Sequence, residues 1–188
     1  MNKSEIILFL KSLFSYLESS TLSEIAEFCD YLTLKKGSEL IQEGKRHHYF
    51  YFITKGSVKS YYLKDGKEIC TWFAFENEMV ATIKTIEGLT SNETVKLLED
   101  SELIRINTQA FKKLKETKLS VNRLMNELIT EHAVFLEELL HLQSKSGKER
   151  YEILIETAPQ LIQRVSLTDL ASLLGISRET LSRIRSKS

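Results

Sequence analysis

Hydrophobic positions follow three different rhythms along this chain, and each predicts a different kind of element. Between Tyr31 and Ile106 the apolar residues come in short runs rich in aromatic and β-branched side chains: Tyr31–Leu34, Tyr49–Thr54, Ser57–Leu63, Glu68–Phe75, Glu93–Leu98 and Leu103–Ile106. Such runs read as strands. Lys55-Gly56 and Lys64-Asp65-Gly66-Lys67 separate the central ones, and Asp65-Gly66 supplies the positive φ angles that a tight two-residue hairpin turn requires. Short strands at close spacing predict a small antiparallel barrel or jelly roll, with helices over Ser4–Tyr16 and Leu22–Cys29 ahead of it.

From Val121 the period lengthens. Val121, Met125, Leu128, His132, Phe135, Leu139 and Leu142 recur at spacings of 4 and 3, a heptad seam that calls for a partner helix. A second stripe, Leu124, Ile129, Leu136 and Leu140, is expected to face the barrel. The alternative, that both stripes are core of one monomer, stays open. His132 sits in mid-seam, where a polar residue fixes register at some cost in stability. The polar run Gln143–Lys148 then breaks the pattern and predicts a hinge. A helix over Glu149–Thr157 follows, ending ahead of Pro159, the only proline.

The third rhythm closes the chain. Leu170, Ala171, Leu174, Ile176, Leu181 and Ile184 fit two short helices packed across a turn at Gly175, a helix-turn-helix. Ala171 is small where the helices must touch, and Gly175 sits where a left-handed conformation is needed. Ser166 followed by Asp169 has capping-box spacing, and Ser177 can cap the second helix. That helix presents Arg178, Glu179, Ser182 and Arg183 away from its apolar side. An arginine fork can donate two bonds to guanine O6 and N7, and a carboxylate can accept from cytosine N4.

Composition adds limits. With 188 residues, 42% hydrophobic and 28% charged, this is an ordinary soluble globular chain. Its apolar runs are too short to span a bilayer, and Met1–Leu10 has no cleavage site behind it, so a cytoplasmic location is expected. The two cysteines, Cys29 and Cys70, are expected to be reduced and buried. Net charge is zero, yet from Leu161 onward five basic side chains, Lys187 among them, face two acidic ones. A basic tail on a mildly acidic body confines nucleic-acid attraction to one end.

The segment ISRETLSRI resembles the recognition element of the Crp/Fnr superfamily of bacterial transcription regulators, most of all its cyclic-AMP receptor branch. The resemblance implies DNA-binding roles for Ser177, Arg178, Glu179, Thr180, Ser182 and Arg183, with the arginines and glutamate on bases and the hydroxyls on phosphates. It extends over nearly the whole chain: LIQEGKRHHYFYFITKGSVKSYY is similar to the family's first barrel hairpins, with Gly44 and Gly56 at the turns. The implied fold is α+β. A cyclic-nucleotide-binding-type barrel occupies residues 1–118, a dimerisation helix 119–144 and an all-α helix-turn-helix domain 145–188. The implied assembly is a parallel homodimer through the Val121 to Leu142 seam, reading a palindrome in double-stranded DNA, with RNA polymerase among its partners.

The chain departs from that branch in two places. Cyclic-nucleotide binders hold the ribose with a Gly-Glu-Leu turn and the phosphate with an arginine, whereas here the segments read Ala81-Thr82-Ile83 and Asn92-Glu93-Thr94. No arginine occurs between Arg46 and Arg105, and Lys84 is the candidate stand-in. An effector other than cyclic AMP, of unidentified kind, is therefore expected. The sequence also stops within a few residues of the motif, before the β-hairpin wing of typical members, and a naturally wingless subgroup and a truncated chain both stay open.

Two thiols cannot ligate an iron-sulfur cluster, and adjacent His47 and His48 on a strand would point to opposite faces, against a cupin-type metal enzyme. Neither enzyme activity, cofactor nor metal is expected. The rival reading is a ligand-sensing or protein-interaction module with a vestigial DNA-binding domain.

Overall fold

The structure, a computed structural model, describes residues 1–186, and Lys187 lies outside them. Helices α1 (Lys3–Leu13) and α2 (Ser19–Ala26) lead into β1 (Cys29–Leu34), β2 (Glu39–Ile41), β3 (Tyr49–Lys55), β4 (Val58–Lys64), β5 (Lys67–Ala74) and β6 (Met79–Val80). The short α3 (Ile83–Ile86), β7 (Thr94–Leu97) and β8 (Ser101–Asn107) complete the β-rich part. Helices α4 (Thr108–Thr117), α5 (Leu119–Gln143), α6 (Gly147–Thr157), α7 (Pro159–Arg164), α8 (Leu167–Leu173) and α9 (Arg178–Arg185) follow. Every strand expected from the sequence forms. The elements it did not announce, β2, β6, α3, α4 and α7, are mostly too short for a periodic pattern to develop. Helix α4 did carry a local signal, since the Asn107 side chain accepts from the Gln109 and Ala110 amides as its cap.

Packing groups the chain into two compact units: Met1–Val58 with Ala74–Thr130, and Lys59–Phe73 with Glu131 onward. The first holds a four-stranded antiparallel sheet in the order β1-β8-β3-β6, alongside the antiparallel pair β2 and β7. Phe50 and Phe52 of β3 lie opposite Ile106 and Ile104 of β8. These four residues form one core with Leu10, Leu22, Ile25, Phe111 and Leu124 from the helices. Phe111 meets Phe50 edge-on at 5.3 Å between ring centres, and Phe14 meets Phe52 at 5.7 Å, a geometry aromatic quadrupoles favour.

Val121, Met125 and Leu128 belong to this core, at 0%, 3% and 6% exposure. They were expected in a dimer seam; packing against the unit's own sheet and helices leaves no surface on them for a second chain. Leu124, expected to face the barrel, is buried in the same core, but Leu136 and Leu140 of the same stripe are exposed at 39% and 69%.

In the second unit β4 and β5 form a hairpin whose turn residues Asp65 and Gly66 both have positive φ, 52° and 75°. The unit's core is Tyr151, Leu154, Leu161, Val165, Leu170, Ala171, Leu174 and Leu181. Helix α6 starts at Gly147 because Ser146 and Glu149 complete a reciprocal capping box. It therefore takes up part of the polar run expected as a hinge, leaving Ser144 to Ser146 between helices. Pro159 opens α7 at its first position, where its missing N–H costs nothing.

Candidate nucleic-acid interface

The closing helix pair is built mainly from local chemistry. Ser166 Oγ accepts from the Asp169 amide at 3.1 Å and starts α8. The expected capping box is only half formed, because Ser166 Oγ donates to Asp169 Oδ2 at 2.7 Å while Oδ1 takes a bond from Lys59. Ser177 Oγ accepts from the Thr180 amide at 3.0 Å and starts α9. Between them Gly175 has φ +64°, and a Cβ there would lie 3.0 Å from Arg150 Nη1.

Arg150, not singled out in the sequence, braces the turn. Its guanidinium donates to Leu174 O at 2.6 Å, Lys145 O at 2.9 Å and Gln143 O at 3.1 Å. It thereby satisfies carbonyls left over at helix ends. Gly147 lets α6 approach the same turn, since a Cβ on it would sit 2.5 Å from Ile176 Cγ2.

Leu181 is fully buried and anchors α9, while Ser177, Arg178, Glu179, Thr180, Ser182 and Arg183 are all exposed. The six residues expected to read DNA are thus all exposed, gathered on the cap and first turns of one helix. Its own amide and the Ser177 hydroxyl, with Arg178 and Arg183 nearby, hold the Glu179 carboxyl below the usual carboxylate range. It is an anionic acceptor at neutral pH, as a contact to a cytosine amine requires.

The pair is tied to the β4–β5 hairpin by an ionic cluster that sequence reading missed. Lys59 Nζ lies 2.7 Å from Asp169 Oδ1 and 2.6 Å from Glu68 Oε2, with the Lys59 and Asp169 side chains only 10% and 17% exposed. The Cys70 amide donates to Ser172 Oγ at 2.9 Å. Burial lowers the Lys59 pKa, but the two carboxylates outweigh it and raise the net value. Burial likewise raises Asp169, but Lys59 and Ser166 outweigh it and leave that carboxyl below its ordinary value.

A depressed carboxylate stabilises the fold above its unfolded pKa, about 3.9, and that stabilisation is lost as pH falls through the folded value. The raised Lys59 contributes below about 10.4 and loses that contribution only as pH rises through its folded value. The stability advantage of the native chain over Asp169→Asn is accordingly expected to hold at neutral pH and shrink below pH about 4. Urea titrations of both proteins at a series of pH values check this; a constant difference down to pH about 3 would contradict the assignment.

Neither cysteine is a reactive thiol. Burial first, then Asp30 beside Cys29 and Asp169 beside Cys70, pushes each up to about 12. The Gln42 amide donates to His47 Nε2 at 2.8 Å.

In the segments that the resemblance aligns with the nucleotide-holding turns, Ala81 is buried, Thr82 caps α3 through the Thr85 amide, and Lys84 is exposed and donates to Asn92 Oδ1 at 2.8 Å. Arg105, the next guanidinium along the chain, bonds Asp30 at 2.9 Å and stacks on Tyr49.

On the second half of α5 the seam residues His132, Leu139 and Leu142 are half-buried, and Phe135 is 38% exposed. The next positions along, Ala133, Leu136 and Leu140, are all exposed, and half-buried Ile129 precedes them in the same 4-and-3 spacing. The apolar stripe free for a partner is thus rotated by one residue, about 100°, from the seam expected.

Residues 31–118 match the family model of the cyclic nucleotide-binding domain. A search of curated proteins finds no significant match. Among solved structures the chain is similar to FixK2 from Bradyrhizobium japonicum, with 19% identity, a TM-score of 0.74, and 85% of this chain and 83% of that one covered. It is also similar to the c-di-GMP-responsive global regulator CLP of Xanthomonas campestris, with 20% identity, a TM-score of 0.71, and coverage of 90% and 91%. A protein from Eubacterium rectale assigned to the Crp/Fnr family matches at 19% identity and a TM-score of 0.71, with coverage of 93% and 85%. The chain has the fold these proteins share, and no helix among its described residues is long and apolar enough to cross a membrane.

Proposed function

We propose that this chain, with its cyclic-nucleotide-binding-type fold, is a Crp/Fnr-type transcription regulator. It acts as a homodimer, reads a palindromic DNA site with α9 of each copy, and answers to an effector other than cyclic AMP. One observation carries this reading: Arg178, Glu179, Ser182 and Arg183 are exposed together on a helix fixed by a buried Leu181, a serine cap and a braced turn. Solvation alone does not call for that much local support.

Arg178 and Arg183 supply planar forks for guanine O6 and N7, Glu179 an acceptor for cytosine N4, and Ser177 and Thr180 hydroxyls for phosphate. One such helix makes few contacts, so selective binding needs a second copy about 34 Å away along the duplex. The apolar stripe Ala133, Leu136 and Leu140 supports pairing through α5, because it leaves large aliphatic side chains in water. The departure of Ala81 to Thr94 from the nucleotide-holding turns supports a different signal.

Arg183→Ala is expected to weaken binding to the cognate site by roughly 1–3 kcal/mol and to relax preference at one base pair in each half-site. Gel-shift titrations against all four bases at each position read both effects. Uniform weakening on every sequence would place Arg183 on phosphate and contradict the base-reading role.

A further inference from the structure

The second unit has an open cleft of about 530 Å³, within the range of small-molecule sites. Trp72 of β5, Phe135, Leu139 and Leu142 of α5, Leu154 of α6 and Leu161 of α7 form its apolar walls. The α5 residues on that wall are the expected seam positions that the free stripe leaves behind. A dimer formed through Ala133, Leu136 and Leu140 therefore does not need to fill the cleft.

One edge is polar. Glu138, His141 and Lys145 follow one another along a single row and line the same space. The Lys145 side chain is exposed at the rim, and after the Ser146 hydrogen bonds its charge helps hold the neighbouring Glu149 carboxyl below its ordinary value. Next to it the Arg150 guanidinium donates to the carbonyl oxygens of Lys145, Leu174 and Gln143. Glu138 lies two turns back along the row. Thr71, also in the lining, has a buried hydroxyl with no hydrogen-bond partner. Rotation about its χ1 would exchange the methyl and hydroxyl positions and offer that group to an occupant.

We propose that this cleft is a binding site for a small, mainly apolar molecule carrying one acidic group, an acyl or aryl carboxylate. Its body lies against Trp72 and the leucines, and its carboxylate meets Lys145. Apolar walls with one short polar edge, on which Lys145 is the cation, select that combination over a nucleotide, which would bring several polar groups against leucine.

Occupancy bears on DNA binding through one helix, a step that rests on the function proposed above. Leu173 of α8 lines the cleft, while its neighbours Asp169 and Ser172 hold the hairpin strands at Lys59 and Cys70. An occupant that presses on Leu173 therefore acts on the helix that backs the recognition helix.

Trp72 is the only tryptophan in the chain, so its fluorescence reports the cleft directly. Titration of the full-length protein with dodecanoate is expected to change Trp72 emission saturably. Ala158→Phe, which fills the cleft, or Leu139→Phe if the first variant does not fold, should abolish the response. Lys145→Met should weaken dodecanoate about tenfold and leave dodecanol unaffected, since a charge-assisted bond is lost only to the acid.

No saturable response, or an equal one in a folded cleft-filling variant, overturns the site. Equal binding of dodecanol and dodecanoate overturns the acidic group. A Trp72 signal that tracks protein concentration without added acid overturns it too, by making a second copy of the chain the occupant. Operator affinity measured with and without dodecanoate tests the coupling. Failure to bind DNA at all would count against the regulator reading and not against the site.

Discussion

Leu140→Glu, alone or with Leu136→Glu, is expected to convert the proposed dimer to monomers and to remove selective operator binding. Leu140 is 69% exposed and Leu136 39%, so neither holds its own chain together. In a parallel helix pair each would meet its symmetry mate, and a carboxylate there would face its own copy across an apolar seam. Burying an unpaired charge, or two like charges, costs more than such a short seam supplies. Losing the dimer removes half of the base contacts and the register between half-sites. Sedimentation equilibrium reads the first effect and gel shift the second, while the thermal stability of the separated chains should change little. The contrasting variant is Val121→Ala, which should lower stability without changing oligomeric state, because Val121 is core. A variant Leu140→Glu that remains dimeric would return the interface to the Phe135, Leu139 and Leu142 face.

The second large effect is expected from Lys59→Ala. Lys59 is the only cation bonded to Asp169 among the described residues, and both side chains are largely withdrawn from water. Truncating it leaves Asp169 buried without its partner, a loss that typically costs about 3–5 kcal/mol. Lys59→Met together with Asp169→Leu replaces the pair by apolar groups of similar volume and is expected to be near neutral. Urea denaturation followed by circular dichroism separates the two outcomes. If Lys59→Ala costs less than about 1 kcal/mol, the cluster behaves as an exposed pair and holds nothing in place.

The parts of this molecule that could be read in the sequence are those whose physics is local. Ser177, Gly175 and Leu181 specify the turn and its second helix within a dozen residues, and Asp65-Gly66 specifies its hairpin in two. The α5 seam was legible as a period but not as a face. Two apolar stripes interleave on that helix, and spacing alone does not say which one meets the chain's own core. The cluster of Lys59 with Asp169 joins positions more than a hundred residues apart, and nothing near either residue announces the other. Arg150 carries no local signal, because the Leu174 carbonyl it braces lies 24 positions away. Cap spacing at Ser166 was read correctly, but the carboxylate expected to complete the box is drawn off by Lys59.

Selection from a pool of random double-stranded DNA tests the reading of α9 most directly. The full-length protein is expected to enrich a palindrome whose half-sites are centred about one helical turn apart, with guanine and cytosine at the positions faced by Arg178, Glu179 and Arg183. Enrichment of no sequence, with binding that rises and falls only with salt, would contradict it.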